Sequence, residues 1–202
     1  MLMRTFSYVS IDIETLGLNP SACDMIEFGA VLETITCGPT QLSAPKLGDL
    51  PSFQCYFTKP DNIYSGEPYA MWLNSAILKR IADREKGHQY IPASRLDEVF
   101  AKWLESKGIE GKVTVAGKNF QGFDMKFLER VGFGSKIKMH HRTLDPGSMF
   151  FDPAIHDALP SLKECLELCK VQKEVSHTAV EDAMDVVRCI RHRLNVQATY
   201  VS

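Results

Sequence analysis

The chain has 202 residues, enough to bury a substantial core without disulfide staples. Hydrophobic residues make up 45% and charged residues 24%; this excludes a disordered segment, and no apolar run reaches membrane-spanning length. A net charge of −2 excludes a protein that grips nucleic acid by bulk charge alone.

The whole chain, residues 1 to 202, reads as one domain, with no internal repeat, low-complexity tract or interdomain linker. Its first residues lack the basic start, apolar stretch and small-residue cleavage site of an export signal, so the expected compartment is the cytoplasm. Six cysteines contain no Cys-x-x-Cys pair and are expected as reduced, mostly buried thiols. Nothing in the sequence indicates a homo-oligomer, and no membrane partner is expected.

In chain order, residues 6 to 14 alternate, so that Val9, Ile11 and Ile13 share one strand face while Ser10, Asp12 and Glu14 share the other. Strand candidates follow at 25–32 and, after a loop with Pro and Gly, at 53–57; the short connections favour an antiparallel meander. From Met71 to Ile81 the composition is helical. Leu96, Val99, Phe100, Trp103 and Leu104 then form one apolar helical stripe. A strand at 113–117 precedes a helix at 121–131, and helices at about 160–170 and 179–195 close the chain. Three antiparallel strands followed by alternating helix and strand predict an α/β fold, a mixed five-stranded sheet with helices on both faces. In such sheets the site lies beyond the carboxyl ends of the central strands, which is where Glu14 and the segment after Gly117 would fall.

Taken alone, each acidic motif is weak, because a chain with this many carboxylates contains Asp-x-Glu about once by chance. Asp12 and Glu14 gain weight from their setting. Two carboxylates on one face of an apolar strand repel and resist burial unless a cation offsets them; the alternative is a strand simply exposed on that face. A second element runs from Gly117 through Asn119, Phe123 and Asp124 to Phe127 and Leu128, where a strand gives way to a helix. Asp124 falls near the positive end of that helix, so it reads either as a ligand or as a favourable first-turn charge. The third element is His177 with Asp182. Five residues apart, they would point about 140° apart on one helix, so a helix must begin between them. Thr178 and Glu181 read as a capping box, with Thr178 at the N-cap and Asp182 in the first turns, and Val180, Ala183, Val187, Ile190 and Leu194 facing the core. His140 and Asp145 share this spacing, but Asp145 runs into Pro146 and Gly147, a turn rather than a capped helix.

These three elements together resemble the DEDDh exonucleases, the family of ribonuclease T, oligoribonuclease and the proofreading subunit of bacterial DNA polymerase III. The resemblance rests on Asp12 and Glu14 with Thr15, Leu16 and Gly17; on Asn119, Phe123, Asp124, Phe127 and Leu128; and on His177 to Asp182, in family order over roughly residues 6 to 195. It implies a ribonuclease H-like fold and a 3′-5′ exonuclease with two divalent cations, Mg²⁺ or Mn²⁺. Asp12 would bridge both ions, Glu14 and Asp182 would complete the first, Asp124 would hold the second, and His177 would be the general base. Hard oxygen ligands suit such ions, and an imidazole near its ordinary pKa can take a proton from water at neutral pH. Thr15 and Leu16 match a turn that contacts the terminal nucleotide, Asn74 matches a position near its base, and Phe123 belongs to the second motif as a substrate contact. The partners implied are single-stranded or frayed 3′ ends of DNA or RNA.

The segment 36–70 aligns with no single relative. Thr15, Leu16 and Gly17 stand where oligoribonuclease-like enzymes carry Met-Thr-Gly, which points away from a strict dinucleotide substrate. Little chain follows the last motif helix, which favours a free-standing nuclease over a polymerase subunit. Tyr69 and Trp72 are expected to pack internally, and Cys165 and Cys169 to be core residues rather than ligands. Residues 112 to 142 carry seven lysines and arginines against Asp124 and Glu129. That stretch, with His140 and His141, is either a solvated face or a phosphate path. Two other readings remain: a phosphodiesterase acting internally or on small nucleotides, and a catalytically silent nucleic-acid or polymerase-binding module.

Overall fold

The structure is a computed structural model that describes residues 3–171 and 178–199. Eight strands form one mixed sheet. The long alternating strand β1 (Arg4–Thr15) pairs antiparallel with β2 (Met25–Cys37), which also pairs antiparallel with β4 (Ser52–Phe57). On the other side of β1 lie β6 (Lys112–Ala116) and the short β7 (Lys138–Met139), both in parallel. The antiparallel meander and the mixed character of the sheet are thus as expected. The count of five is not: two- and three-residue strands β3 (Leu42–Ala44), β5 (Tyr90–Ile91) and β8 (Val196–Ala198) extend the edges, too short to leave a periodic signal.

Period-2 alternation in β1 sorts its side chains onto two helical layers. Val9, Ile11 and Ile13 join Phe28, Phe53 and Phe57 in a core closed by α3 (Leu96–Ser106) and α4 (Asp124–Arg130), through Leu96, Phe100, Leu104, Phe127 and Leu128. The Phe28 and Phe100 rings meet edge to face at 4.9 Å between centroids. On the opposite face, Tyr8, Val31 and Ile35 pack against α7 (Ala179–Leu194) through Ala183, Val186, Val187 and Ile190. The face carrying Asp12 and Glu14 is therefore covered by a helix rather than open to water.

Helix α7 starts where expected, with Thr178 extended at the N-cap, but the capping box does not form. Thr178 makes no side-chain cap bond, and the Glu181 N–H is held by the Thr178 backbone carbonyl at 3.0 Å. Leu194 is 39% exposed rather than in the core, because the left-handed Asn195 ends the helix there and turns the chain into β8. At this end a buried ion pair joins Arg191 to Glu33 of β2.

The helix expected from Met71 to Ile81 is two helices, α1 (Pro68–Leu73) and α2 (Ser75–Asp83), broken at Asn74. Tyr69 and Trp72 are not packed inside. They are 71% and 70% exposed, with ring centroids 5.9 Å apart. Asp145 also departs from expectation: it does cap a helix, the short α5 (Pro146–Phe150), accepting the Gly147 N–H at 2.7 Å. Helix α6 (Leu162–Leu168) begins with a capping box of Ser161 and Glu164. Its Cys165 and the following Cys169 pack with Cys189 of α7 as buried free thiols, as core residues should. No helix among the described residues is long and apolar enough to cross a membrane.

Candidate metal centre

Asp12 and Glu14 occupy the last third of β1, two residues apart and so on the same face, beneath the first turns of α7. That helix can descend onto the sheet because the residue opposite Asp12 on β2 is Gly29. A Cβ built there would lie 2.2 Å from the Ala179 carbonyl carbon and the Val180 nitrogen. With the helix backbone in that space, Asp182 reaches the strand. Carboxylate oxygens of Asp12, Glu14 and Asp182 all lie within 4.8 Å of one another, and the three side chains are half-buried.

Asp124, the first residue of α4, is buried beside this group. The nearby backbone N–H groups of Asp124 itself and of Ile13 favour its charged form, and its charge acts on Asp12. The turn that delivers it is held by Asp145, whose second carboxylate oxygen accepts the N–H of left-handed Asn119 at 2.7 Å. Sequence reading set Asp145 aside as a rival to Asp182. It is instead a brace for the segment between β6 and Asp124.

A fifth carboxylate went unnoticed in the sequence. Glu27, fully buried in β2, stands opposite Glu14. Its Oε1 accepts from Gln54 Nε2 at 2.6 Å, while its Oε2 is buried without a hydrogen-bond partner. A charged residue inside the apolar run 25–32 was the available signal.

So many carboxylates crowded together cannot all stay charged. Burial, then the neighbouring Asp124, Asp182, Glu14 and Glu27, hold the Asp12 carboxyl well above the usual carboxylate range. Burial, then Glu27 and the nearby aspartates, push Glu14 up to about 8. Burial also raises Asp124 to about 7, against the pull of the nearby backbone N–H groups, and Glu27 to about 7. A divalent cation among these oxygens would reverse the balance by offsetting the repulsion, and an all-oxygen donor set fits a hard ion.

His177, the expected base, lies outside the described residues. The expected substrate contacts divide. Thr15 is half-buried, with its hydroxyl on the Gly17 carbonyl at 2.9 Å. Leu16 is fully buried among Ile26, Tyr56, Ile77 and Ile81, so its side chain faces the core. Asn74 is 3% exposed, and its amide donates to the Thr15 carbonyl at 3.1 Å, so it shapes the turn after β1. The half-buried Phe123 packs at 5.3 Å from the Phe127 ring. Segment 58–67 clamps the same turn: Glu67 N–H bonds to Leu16, Ser65 N–H to Asp24, and Lys59 pairs with Asp24 at 2.9 Å. Of the basic stretch, Lys118 turns toward Asp145 at 3.9 Å, while Lys112, Lys126, Arg130, Lys136, Lys138, His140, His141 and Arg142 are exposed.

No family model and no curated protein matches the chain in sequence. Solved structures match it in fold. The nuclease domain of 3'hExo, a DEDDh family member, bound to rAMP, gives a TM-score of 0.65 at 14% identity, over 94% of this chain and 92% of that one. E. coli exonuclease I in complex with a dT13 oligonucleotide gives 0.58 at 14% identity, over 93% of this chain and 41% of that one. Its complex with a dA16 oligonucleotide gives 0.59 at 14% identity, over 94% and 41%. The chain therefore spans about 41% of the length of those exonuclease I chains. These superpositions show that the chain shares the fold of the 3'hExo nuclease domain and of exonuclease I.

Proposed function

We propose that the chain is a metal-dependent 3′-5′ exonuclease that releases nucleoside 5′-monophosphates from single-stranded or frayed 3′ ends of DNA or RNA. The observation that carries this reading is the convergence of Asp12, Glu14 and Asp182 within 4.8 Å, in a fold shared with exonucleases. Asp12, Glu14 and Asp182 would hold one divalent cation, Mg²⁺ or Mn²⁺, and Asp12 with Asp124 a second. Bound there, two cations supply positive charge to the scissile phosphate and to the departing oxygen. His177, next in sequence to the N-cap of α7, accepts the proton of the attacking water as the new P–O bond forms. The bond to the 3′ oxygen of the preceding nucleotide breaks, and that oxygen takes a proton from solvent. The 5′ phosphate leaves with the terminal nucleotide.

Two features support a single-stranded substrate. The turn after β1 is fixed from below by Asn74 and Glu67, which leaves a preformed floor beside the carboxylates. Helix α1, anchored to that turn, exposes the faces of Tyr69 and Trp72, surfaces on which unpaired bases can stack whatever their identity. Ribo- and deoxyribonucleotides both occur in the matching structures, and both sugars are retained in the proposal. The test is product chemistry: a metal-supplemented digest of a single-stranded oligomer, resolved by anion-exchange chromatography against mononucleotide standards. Nucleoside 5′-monophosphates from the earliest times are expected; internal fragments or 3′-phosphates would reject the reading.

A further inference from the structure

Glu27 has a role that the proposed chemistry does not use. Its carboxylate is fully buried, at a cost that an apolar residue of the same size would not incur. Gln54 Nε2 from β4 holds its Oε1 at 2.6 Å, while its Oε2 is buried without a hydrogen-bond partner beside the backbone N–H of Ala179, the first residue of α7, which favours the charged form. Its oxygens do not belong to the group that converges within 4.8 Å. Two residues along the same strand face, Gly29 admits the backbone of Ala179 and Val180 against β2. Three residues after Ala179 comes Asp182, which the same helical turn carries to Asp12 and Glu14.

We propose that Glu27 is a positioning residue: held by Gln54 and lying under the start of α7 beside the Ala179 N–H, it fixes the first turn of that helix, and so sets where Asp182 meets Asp12 and Glu14. The carboxylate is suited to its place, because negative charge is favoured at the positive end of a helix. Gln54 orients that carboxylate from the neighbouring strand. The consequence falls on cation affinity, since groups that orient ligands without touching the ion govern how well the ligands converge. This inference rests on the reading of Asp12, Glu14 and Asp182 as a cation site.

The experiment is a Mn²⁺ titration of thermal stability, with chelator-treated protein as the zero point, on the wild type, Glu27→Ala, Glu27→Gln and Gln54→Ala. For Glu27→Ala, the Mn²⁺ concentration giving half the maximal upward shift should rise about tenfold or more. Glu27→Gln keeps the volume and an oxygen for Gln54 and should stay within about threefold of wild type, and Gln54→Ala should fall between the two. A purely structural Glu27 would lower the chelator-treated melting temperature and leave the half-saturating Mn²⁺ concentration unchanged, which would overturn the inference. If Glu27→Ala does not fold, Gln54→Ala decides by the same reading. A wild type that does not respond to Mn²⁺ would remove the cation site itself, and the inference with it; a responsive wild type with unresponsive differences among variants would remove the inference alone.

Discussion

Asp12 on β1 stands directly opposite Gly29 on β2, and the volume that a side chain at Gly29 would fill is taken by the backbone of Ala179 and Val180. The absence of one Cβ lets a helix lie on the sheet closely enough to bring a third carboxylate to the strand. Gly29→Ala should therefore push the first turn of α7 outward. The expected stability loss is about 1–3 kcal/mol by urea denaturation. Nuclease activity should fall much further than that loss explains at temperatures where the variant is folded. Full activity would show that the close approach is dispensable.

The cluster predicts an inverted pH dependence for the metal-free protein. Glu14, Asp124 and Glu27 bind their protons more tightly folded than unfolded, with values of about 8, 7 and 7. Their neutral forms favour the fold, so this contribution is complete below the ordinary carboxylate range and is lost as pH rises through about 7 to 8. In chelator, the melting temperature should fall between pH 5 and pH 8.5. Saturating Mg²⁺ or Mn²⁺ should remove most of that slope, because the cation offsets the charge that the protons had neutralised. A melting temperature in chelator that rises over this window would contradict the burial of the cluster.

Tyr69 and Trp72 offer a separate test of the substrate. Both rings are exposed, so alanine at either position should change stability by no more than about 0.5 kcal/mol. If unpaired bases stack there, the double variant should raise KM for single-stranded oligomers by roughly tenfold and leave kcat within about twofold. An unchanged KM would assign the pair to some other surface.

His177→Ala should separate chemistry from metal binding. Turnover is expected to drop by about a hundredfold or more, with the Mn²⁺ dependence of thermal stability unchanged. An unchanged rate would reject His177 as the base.

What could be read from the sequence follows physical locality. Alternation in β1 put Asp12 and Glu14 on one face, and the need for a helix start between His177 and Asp182 located the beginning of α7 at Thr178. Both are properties of a few neighbouring residues. The break at Asn74 is not, because it depends on a hydrogen bond to Thr15, 59 positions away. Exposure of Tyr69 and Trp72 likewise depends on which face of α1 the turn after β1 covers, and large aromatic residues are buried by default in any reading of composition. Glu27 was hidden for the opposite reason: its strand was clear, but its partner Gln54 and its neighbour Ala179 come from two other elements. The helix at Asp145 is five residues long, too short for periodicity to reveal.

The most direct test of exonuclease chemistry uses matched single-stranded DNA and RNA carrying a 5′ label, incubated with Mg²⁺, Mn²⁺ or chelator, beside the Asp12→Ala variant. The expected result is a ladder that shortens from the 3′ end only when metal is present and only with the intact carboxylate, with the faster ladder naming the preferred sugar. Oligomers that stay intact with every metal, or a ladder that Asp12→Ala leaves unchanged, would contradict it.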